Sequence, residues 1–465
     1  MKGILSYGAY IPYNRLQRNK VKEFFGTSVF AGEKAVASFD EDSVTMGVEA
    51  AFHCLQGQDI TKLASVHLAT ASGPYKEKSS IPTLVQALDL PANVKGVELA
   101  YSLRSGTSAI LAAKANEMTL VIASDCRVGA PSGNNEQVFG DGAVSFLMGS
   151  GEGVIAHLLD AQIMHEDIVG QWQSQSDTFS QSWEDRFLSG VVLENVTATM
   201  KSLAERNQFT PDSITKVVIS SPGHRSYLQV AKKLGFRQEQ IQDSLLGTVG
   251  AAGSAHALLM LAAALETAQP GEKILVVNFA EGTDILLFEV TEAISKLSRR
   301  KAVQEHLAIK NNELSYSSYL KWRGILEVEP PRRPEPDRPS APAMFRNYEQ
   351  NLGFYGSRCT VCETPQFPKQ RVCVQCQAKD QMEAYRFVGK TAKVMTYTID
   401  YLAPTPAPPS FVAVVDFEGG GRVMCEVTDC SKEEITIGME VEMTFRRLYE
   451  AKGIHNYFWK ARPKR

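Results

Sequence analysis

Four cysteines, Cys359, Cys362, Cys373 and Cys376, form two C-x2-C pairs separated by ten residues and constrain this chain more than any other feature. Two tight turns of that spacing each present a pair of thiolates to one tetrahedral ion, which is how structural Zn2+ is usually held. Four protein ligands leave no position for a catalytic water, so such a metal staples a small module and takes no part in chemistry. Any chemistry then belongs to the long segment upstream.

A chain of 465 residues exceeds what one hydrophobic core serves, which predicts two or three domains. Its net charge of -3 gives no general attraction to nucleic acid or to an anionic membrane, and points to small substrates or protein partners. The first residues, Met1 to Tyr13, read as a strand and a Pro-containing turn without the charged and apolar regions of a secretory signal. The longest nearly apolar stretch, Ala251 to Leu265, carries Ser254 and His256 and is shorter than the roughly 18 residues a spanning helix needs. The expectation is a cytoplasmic protein with reduced thiols. Cys54, Cys126, Cys425 and Cys430 then read as buried apolar fillers.

Between Pro330 and Pro342, six prolines alternate with charged residues, a run that predicts an extended linker spanning roughly 40 Å. Upstream of it the chain repeats itself. Asp42 opens an amphipathic helix that leads through Ile60-Thr-Lys to the apolar strand Val66 to Ala71. Val196 to Leu203 has the same helical spacing and leads through Ile214-Thr-Lys, 154 residues later, to a strand over Val217 to Ser220. Each half closes on an acidic turn and an apolar strand, Gly140-Asp-Gly in the first and Glu281-Gly-Thr in the second. Two stacked α/β halves related by a pseudo-twofold axis follow from this pattern. Downstream, Val394 to Ile399, Phe411 to Phe417, Arg422 to Val427 and Val441 to Arg446 read as short barrel strands.

The duplicated pattern, Ser102-Leu-Arg-Ser-Gly-Thr-Ser-Ala, Gly140-Asp-Gly-Ala, Ala231-Lys-Lys-Leu-Gly-Phe and Gly247-Thr-Val-Gly-Ala-Ala-Gly together resemble the thiolase superfamily, in its hydroxymethylglutaryl-CoA synthase and ketoacyl synthase III branch. The tail, with Leu352-Gly-Phe-Tyr-Gly-Ser-Arg-Cys and Phe367-Pro, resembles the DUF35 family. The resemblance implies a duplicated five-layer α/β sandwich, then a rubredoxin-like zinc ribbon and a β-barrel OB-fold. The expected divisions are two thiolase-like halves (1–160 and 161–326), the Pro-rich linker (327–343), the ribbon with a leading helix (344–386) and the OB-fold (387–465). It further implies acyl-CoA as ligand, with coenzyme A as part of the substrate, a homodimer, and for the tail a possible separate thiolase subunit.

Enzymes of this branch carry a nucleophilic Cys at a strand-to-helix turn, with His, Asn and Glu handling proton and oxyanion. On this chain the Cys position falls on Leu103, the His on Ser220, the Asn on Thr248 and the Glu on Ala71. Leucine accepts no acyl group, so the acyl-cysteine route is not expected. Three readings remain: carbon-carbon bond making or breaking without the cysteine, a noncatalytic acyl-CoA subunit beside a thiolase, and an OB-fold nucleic-acid binder. The third calls for a basic stripe, whereas the barrel carries Asp416, Glu418, Glu426 and Asp429. No nucleic acid and no membrane are expected as partners.

Aldol-type chemistry needs an acid–base pair and an oxyanion donor. His224 in the loop after the strand ending at Ser220, Tyr75 in Ser72-Gly-Pro-Tyr, and Ser102 beside the elbow are the candidate catalytic residues. Asp125 and Glu136 are further candidates, the former expected to pair structurally with Arg127 at a strand end. A nucleophilic Ser102 lacks a correctly spaced His as base. Arg225, at the family's Arg position, and Thr248 are the candidates for contacting acyl-CoA, with Lys232 and Lys233 equally readable as a solvated face.

Overall fold

The computed structural model describes residues 2–27, 29–174, 176–221, 226–298, 301–329 and 341–465. The chain forms two compact units, one of Met1–Ala37, Asp42–Ile81 and Leu90–Tyr316, the other of Ser38–Glu41, Pro82–Asp89 and Ser317–Arg465. The run from Pro330 to Ser340 lies outside the described residues, and so does the linker conformation expected for it.

The first unit is built on a nine-stranded sheet. In chain order its strands are β1 (Gly3–Tyr10), β2 (Leu63–Thr70), β3 (Lys95–Ala100), β4 (Met118–Asp125), β5 (Gly142–Gly149), β6 (Ala156–His165), β7 (Lys216–Ser220), β8 (Lys273–Ala280) and β9 (Gly282–Val290). They are arranged β7-β8-β9-β6-β1-β5-β4-β2-β3. The halves meet at β1 and β6, which pair antiparallel at Gly3 with His157 and Ile4 with Ala156. On one side β1 and β5 run antiparallel, as do β5 and β4, while β4 and β2 are parallel. On the other, β6–β9 and β9–β8 are antiparallel and β8–β7 is parallel. This is the duplication seen in the sequence. The first Ile-Thr-Lys segment is itself a 3-10 turn leading into β2, and the second follows a 3-10 turn over Pro211–Ser213 and leads into the equivalent strand β7. The halves differ at the edge: β3 pairs along β2, whereas in the second half, among the described residues, the outer side of β7 is met by a bridge from Val217 to Ile241.

Helix α1 (Ser43–Leu55) starts where the sequence places it. The Asp42 carboxylate accepts from the backbone N–H groups of Val44 and Thr45, and the Asp42 N–H donates to the Thr45 hydroxyl oxygen. Helix α2 spans Ile81–Leu88, and α3 (Ser105–Ala112) follows β3. Their counterparts in the second half are α4 (Asp185–Asn207), α5 (Ser226–Lys233) and α6 (His256–Leu265). All ten residues of α6, HALLMLAAAL, are buried. An apolar helix without a polar face belongs in a core, which accounts for the longest apolar stretch of the chain. Among the described residues, no helix is long and apolar enough to cross a membrane.

The second unit holds a three-stranded sheet of Tyr355–Cys359, Pro365–Gln366 and Met382–Arg386, and a closed five-stranded barrel. The barrel strands are β10 (Ala392–Asp400), β11 (Ser410–Phe417), β12 (Arg422–Val427), β13 (Glu440–Ala451) and β14 (Ile454–Pro463). The sequence pattern shows four of them. The fifth escapes although Trp459 and Ala461 alternate with Lys460 and Arg462, because those charges, which read as solvated, are buried in the fold. Phe354, Phe387, Phe417 and Trp459 form the aromatic core of this unit.

Candidate functional site

The strand-to-helix elbow lies between β3 and α3. Tyr101 takes a left-handed φ of 73° and is exposed, Ser102 and Leu103 are half-buried, and Arg104 is buried as α3 begins. Two glycines let this turn approach the second half. A Cβ on Gly106 would overlap the Ser254 carbonyl oxygen, and one on Gly253, whose φ is +57°, would overlap the Asp125 carboxylate. The motifs Gly140-Asp-Gly and Gly247 to Gly253 are neighbours as well. Gly140 N–H donates to Ala251 at 3.2 Å and Ala251 N–H to Val138 at 2.7 Å.

A polar network wires the elbow to β8 and β9. The Arg104 guanidinium is ion-paired with Asp284 and donates to the Glu281 carbonyl at 2.5 Å. Thr107 Oγ1 donates to the other Asp284 oxygen at 2.6 Å. Asn278 Nδ2 donates to Thr107 Oγ1 at 3.1 Å and reaches the Leu103 carbonyl at 3.4 Å. Ser220, to which the family resemblance assigns the His position, ends β7 directly beside Asn278 in the parallel ladder. That position is therefore one strand from the elbow.

Ser102 is the sequence candidate that the structure brings into this network. Its Oγ donates to Glu281 Oε2 at 2.6 Å and accepts from the Arg104 N–H at 3.0 Å. Glu281, Asn278 and Asp284 escape a search by motif spacing. The available signal was the repeat itself, which aligns Asp141-Gly142 with Glu281-Gly282.

Tyr75 is half-buried in the loop after β2, with the Lys78 ammonium 4.9 Å from its ring centroid. Ala71 follows β2, and its N–H donates to Asp125 Oδ1 at 2.7 Å. Thr248 lies in the turn after Leu245, where its hydroxyl contacts the Leu245 carbonyl at 3.4 Å. His224 and Arg225 fall outside the described residues.

Asp125 is structural through partners the sequence did not suggest. One oxygen accepts from Thr70 Oγ1, Ala71 N–H and Ser72 Oγ, the other from the N–H and hydroxyl of Ser254. Arg127 lies over the Phe139 ring at 3.9 Å, and burial lowers its pKa against the pull of the Asp125 charge. Glu136 is buried, accepting from Tyr316 Oη at 2.9 Å and Ser132 N–H at 2.7 Å, and burial raises its pKa against the pull of Lys34. His256, buried at the start of α6, is lowered to about 4 by burial and is held neutral near pH 7.

In the second unit the Sγ atoms of Cys359, Cys362, Cys373 and Cys376 come together within 4.8 Å of one another. Cys359 and Cys376 are 3.7 Å apart, Cys362 and Cys373 3.5 Å. A tetrahedral ion about 2.3 Å from each sulfur sets sulfur–sulfur distances of about 3.8 Å, so the cluster has the dimensions of a tetrathiolate site. The two knuckles match. In each, the residue after the second cysteine has positive φ, 59° at Glu363 and 61° at Gln377, and its N–H returns to the carbonyl of the first.

The pseudo-twofold sheet with its buried helices defines a thiolase-like α/β sandwich. Residues 204–286 match the family model 3-oxoacyl-[acyl-carrier-protein] synthase III C terminal, and residues 385–446 match the ChsH2 C-terminal OB-fold domain. Hydroxymethylglutaryl-CoA synthase of Pyrobaculum aerophilum is 28% identical over 70% of this chain and 98% of its own length. The enzyme of Caldivirga maquilingensis is 29% identical over the same shares. A crystal structure of HMG-CoA synthase complexed with CoA aligns with a TM-score of 0.63 at 19% identity, covering 69% of this chain and 89% of that one. The 3-oxoacyl-(acyl carrier protein) synthase III of Pseudomonas aeruginosa aligns with a TM-score of 0.55 at 17% identity, over 62% of this chain and 98% of that one. The chain thus carries a thiolase-like α/β sandwich similar to hydroxymethylglutaryl-CoA synthases, followed by a C-terminal OB-fold domain.

Proposed function

We propose that this chain binds acyl-CoA and makes or breaks carbon-carbon bonds in acyl-CoA thioesters without an acyl-cysteine intermediate. The observation that carries this reading is Leu103 at the elbow of a scaffold whose relatives are named hydroxymethylglutaryl-CoA synthases. Solved structures of that fold hold CoA and 3-hydroxy-3-methylglutaryl coenzyme A, which supports a thioester ligand for this chain too. Retro-aldol or aldol chemistry suits an elbow without sulfur, because a β-hydroxyacyl thioester fragments through an enolate once its hydroxyl loses a proton.

A second reading, a noncatalytic acyl-CoA subunit that works beside a separate thiolase, draws on the side chains at the four family positions: Leu103, Ser220, Thr248 and Ala71. The separating experiment incubates the purified chain with a panel of acyl-CoA thioesters, alone and with a partner thiolase, and follows products by mass. Turnover by the chain alone supports the enzyme, turnover only with the partner supports the subunit, and an acyl adduct on a cysteine overturns the cysteine-free route. The four-cysteine cluster is proposed to hold a structural Zn2+, which supplies a cross-link between the two knuckles. A homodimer is proposed from the family resemblance.

A further inference from the structure

We infer that Ser102 and Glu281 form the acid–base pair of the elbow and act on the hydroxyl of a β-hydroxyacyl thioester, a step that rests on the function proposed above. The Ser102 Oγ to Glu281 Oε2 distance of 2.6 Å is in the short range of hydroxyl-to-carboxylate bonds. The Arg104 N–H occupies a lone pair of the same Oγ, so the hydroxyl proton is aimed at Glu281. Glu281 is fixed at its root. It is the one residue between β8 and β9, the ladder pairs Ala280 with Gly282 across it, and its carbonyl is gripped by Arg104, itself anchored on Asp284. Both side chains are half-buried, which leaves them reachable from solvent. The repeat supplies a comparison: the equivalent acid, Asp141, is buried and accepts the Ala37 N–H at 2.7 Å. One acid of the duplicated turn is committed to the scaffold, while the other faces a hydroxyl one residue from the family's nucleophile position.

In the cleavage direction the substrate's β-hydroxyl gives its proton to Ser102 Oγ as the Ser102 proton moves to Glu281. The Cα–Cβ bond breaks, its electron pair enters the thioester as an enolate, and the β-carbon departs as a carbonyl. The proton on Glu281 returns through Ser102 to the α-carbon, giving the shorter acyl thioester and restoring the carboxylate. Atoms and electrons balance with no further reactant consumed, and condensation is the same path reversed. Ser102 is thus the catalytic residue, and Glu281 the positioning residue that holds its proton.

The test uses the full chain and the variants Ser102→Ala, Ser102→Thr, Glu281→Gln and Glu281→Asp, with β-hydroxyacyl-CoA cleavage followed by mass and acyl-CoA affinity measured by calorimetry. Ser102→Ala and Glu281→Gln are expected to lower kcat by about 100-fold or more while KM and affinity hold, with Ser102→Thr and Glu281→Asp recovering part of the rate. If Ala and Gln variants do not fold, the two conservative variants decide, since each is expected to lower kcat at unchanged KM. Wild-type turnover that the folded variants match to within about twofold overturns the pair and leaves the proposed function standing. Absence of turnover by the wild type, alone or with a thiolase, overturns that function and the pair with it.

Discussion

Leu103 could be proposed as the nucleophile position by counting from Gly106, because that count stays within one local motif. Glu281 could not, because the carboxylate reaching Ser102 comes from 179 residues away and only the folded sheet brings the two together. The same contrast governs the glycines. Gly106 stands in a motif whose purpose the sequence leaves open, and the structure gives it one: α3 lies against the Ser254 carbonyl. Gly106→Ala is therefore expected to destabilise the fold by about 1–3 kcal/mol through overpacking. Gly190 provides the control, since it lies within α4 where an added methyl would meet nothing within 4 Å. Gly190→Ala is expected to gain about 0.5–1 kcal/mol from helix propensity. Urea denaturation of the two variants checks both, and equal effects would contradict the close approach.

At the scale of elements, the knuckles were legible because two C-x2-C turns encode their geometry within a few residues. The barrel was legible only where its strands alternate. β14 remained hidden because Lys460 and Arg462, which read as solvated charges, are buried in ion pairs with Glu426 and Glu442. The four-cysteine cluster joins Tyr355–Cys359 to the second knuckle, and its small sheet has two short strands besides β-strand Met382–Arg386, too little to hold itself together. Metal removal by a strong chelator under reducing conditions is expected to unfold the ribbon, exposing the buried Cys359 and Cys373 to thiol reagents. Cys362→Ser is expected to do the same without a chelator. Metal analysis and the rate of thiol labelling check this, and protection that persists after metal loss would show that the cluster folds unaided.

At the scale of the whole chain, duplication was visible because both halves keep the same order of helix, turn and strand. A long-range bond of a different kind has no sequence signature: Asp40 meets Arg446, 406 residues away, within the second unit. Arg446 is fully buried and pairs with Asp40 at 3.2 Å, Glu41 at 2.9 Å and Asp429 at 2.6 Å. Lys460, also buried, pairs with Asp40 at 3.0 Å and Glu426 at 2.5 Å. Burial pushes the Asp40 carboxyl upward, but Lys460 and then Arg446 outweigh it and hold the pKa at about 2 against an ordinary 3.8. A carboxyl depressed on folding stabilises the native state above its unfolded pKa, and that contribution is lost as pH falls through the folded value. The difference corresponds to about 2 kcal/mol, complete above about pH 5 and gone by about pH 1. Asp40→Asn removes this titration but leaves Lys460 and Arg446 buried with fewer counter-charges, so it is expected to cost about 3 kcal/mol at neutral pH. Its stability should then change less than wild type's between about pH 4 and pH 2, because one of the protons taken up on unfolding is missing. Denaturant midpoints measured across that interval decide it: parallel acid limbs in the two proteins would mean that Asp40 carries no coupled charge, whatever its distance from Arg446.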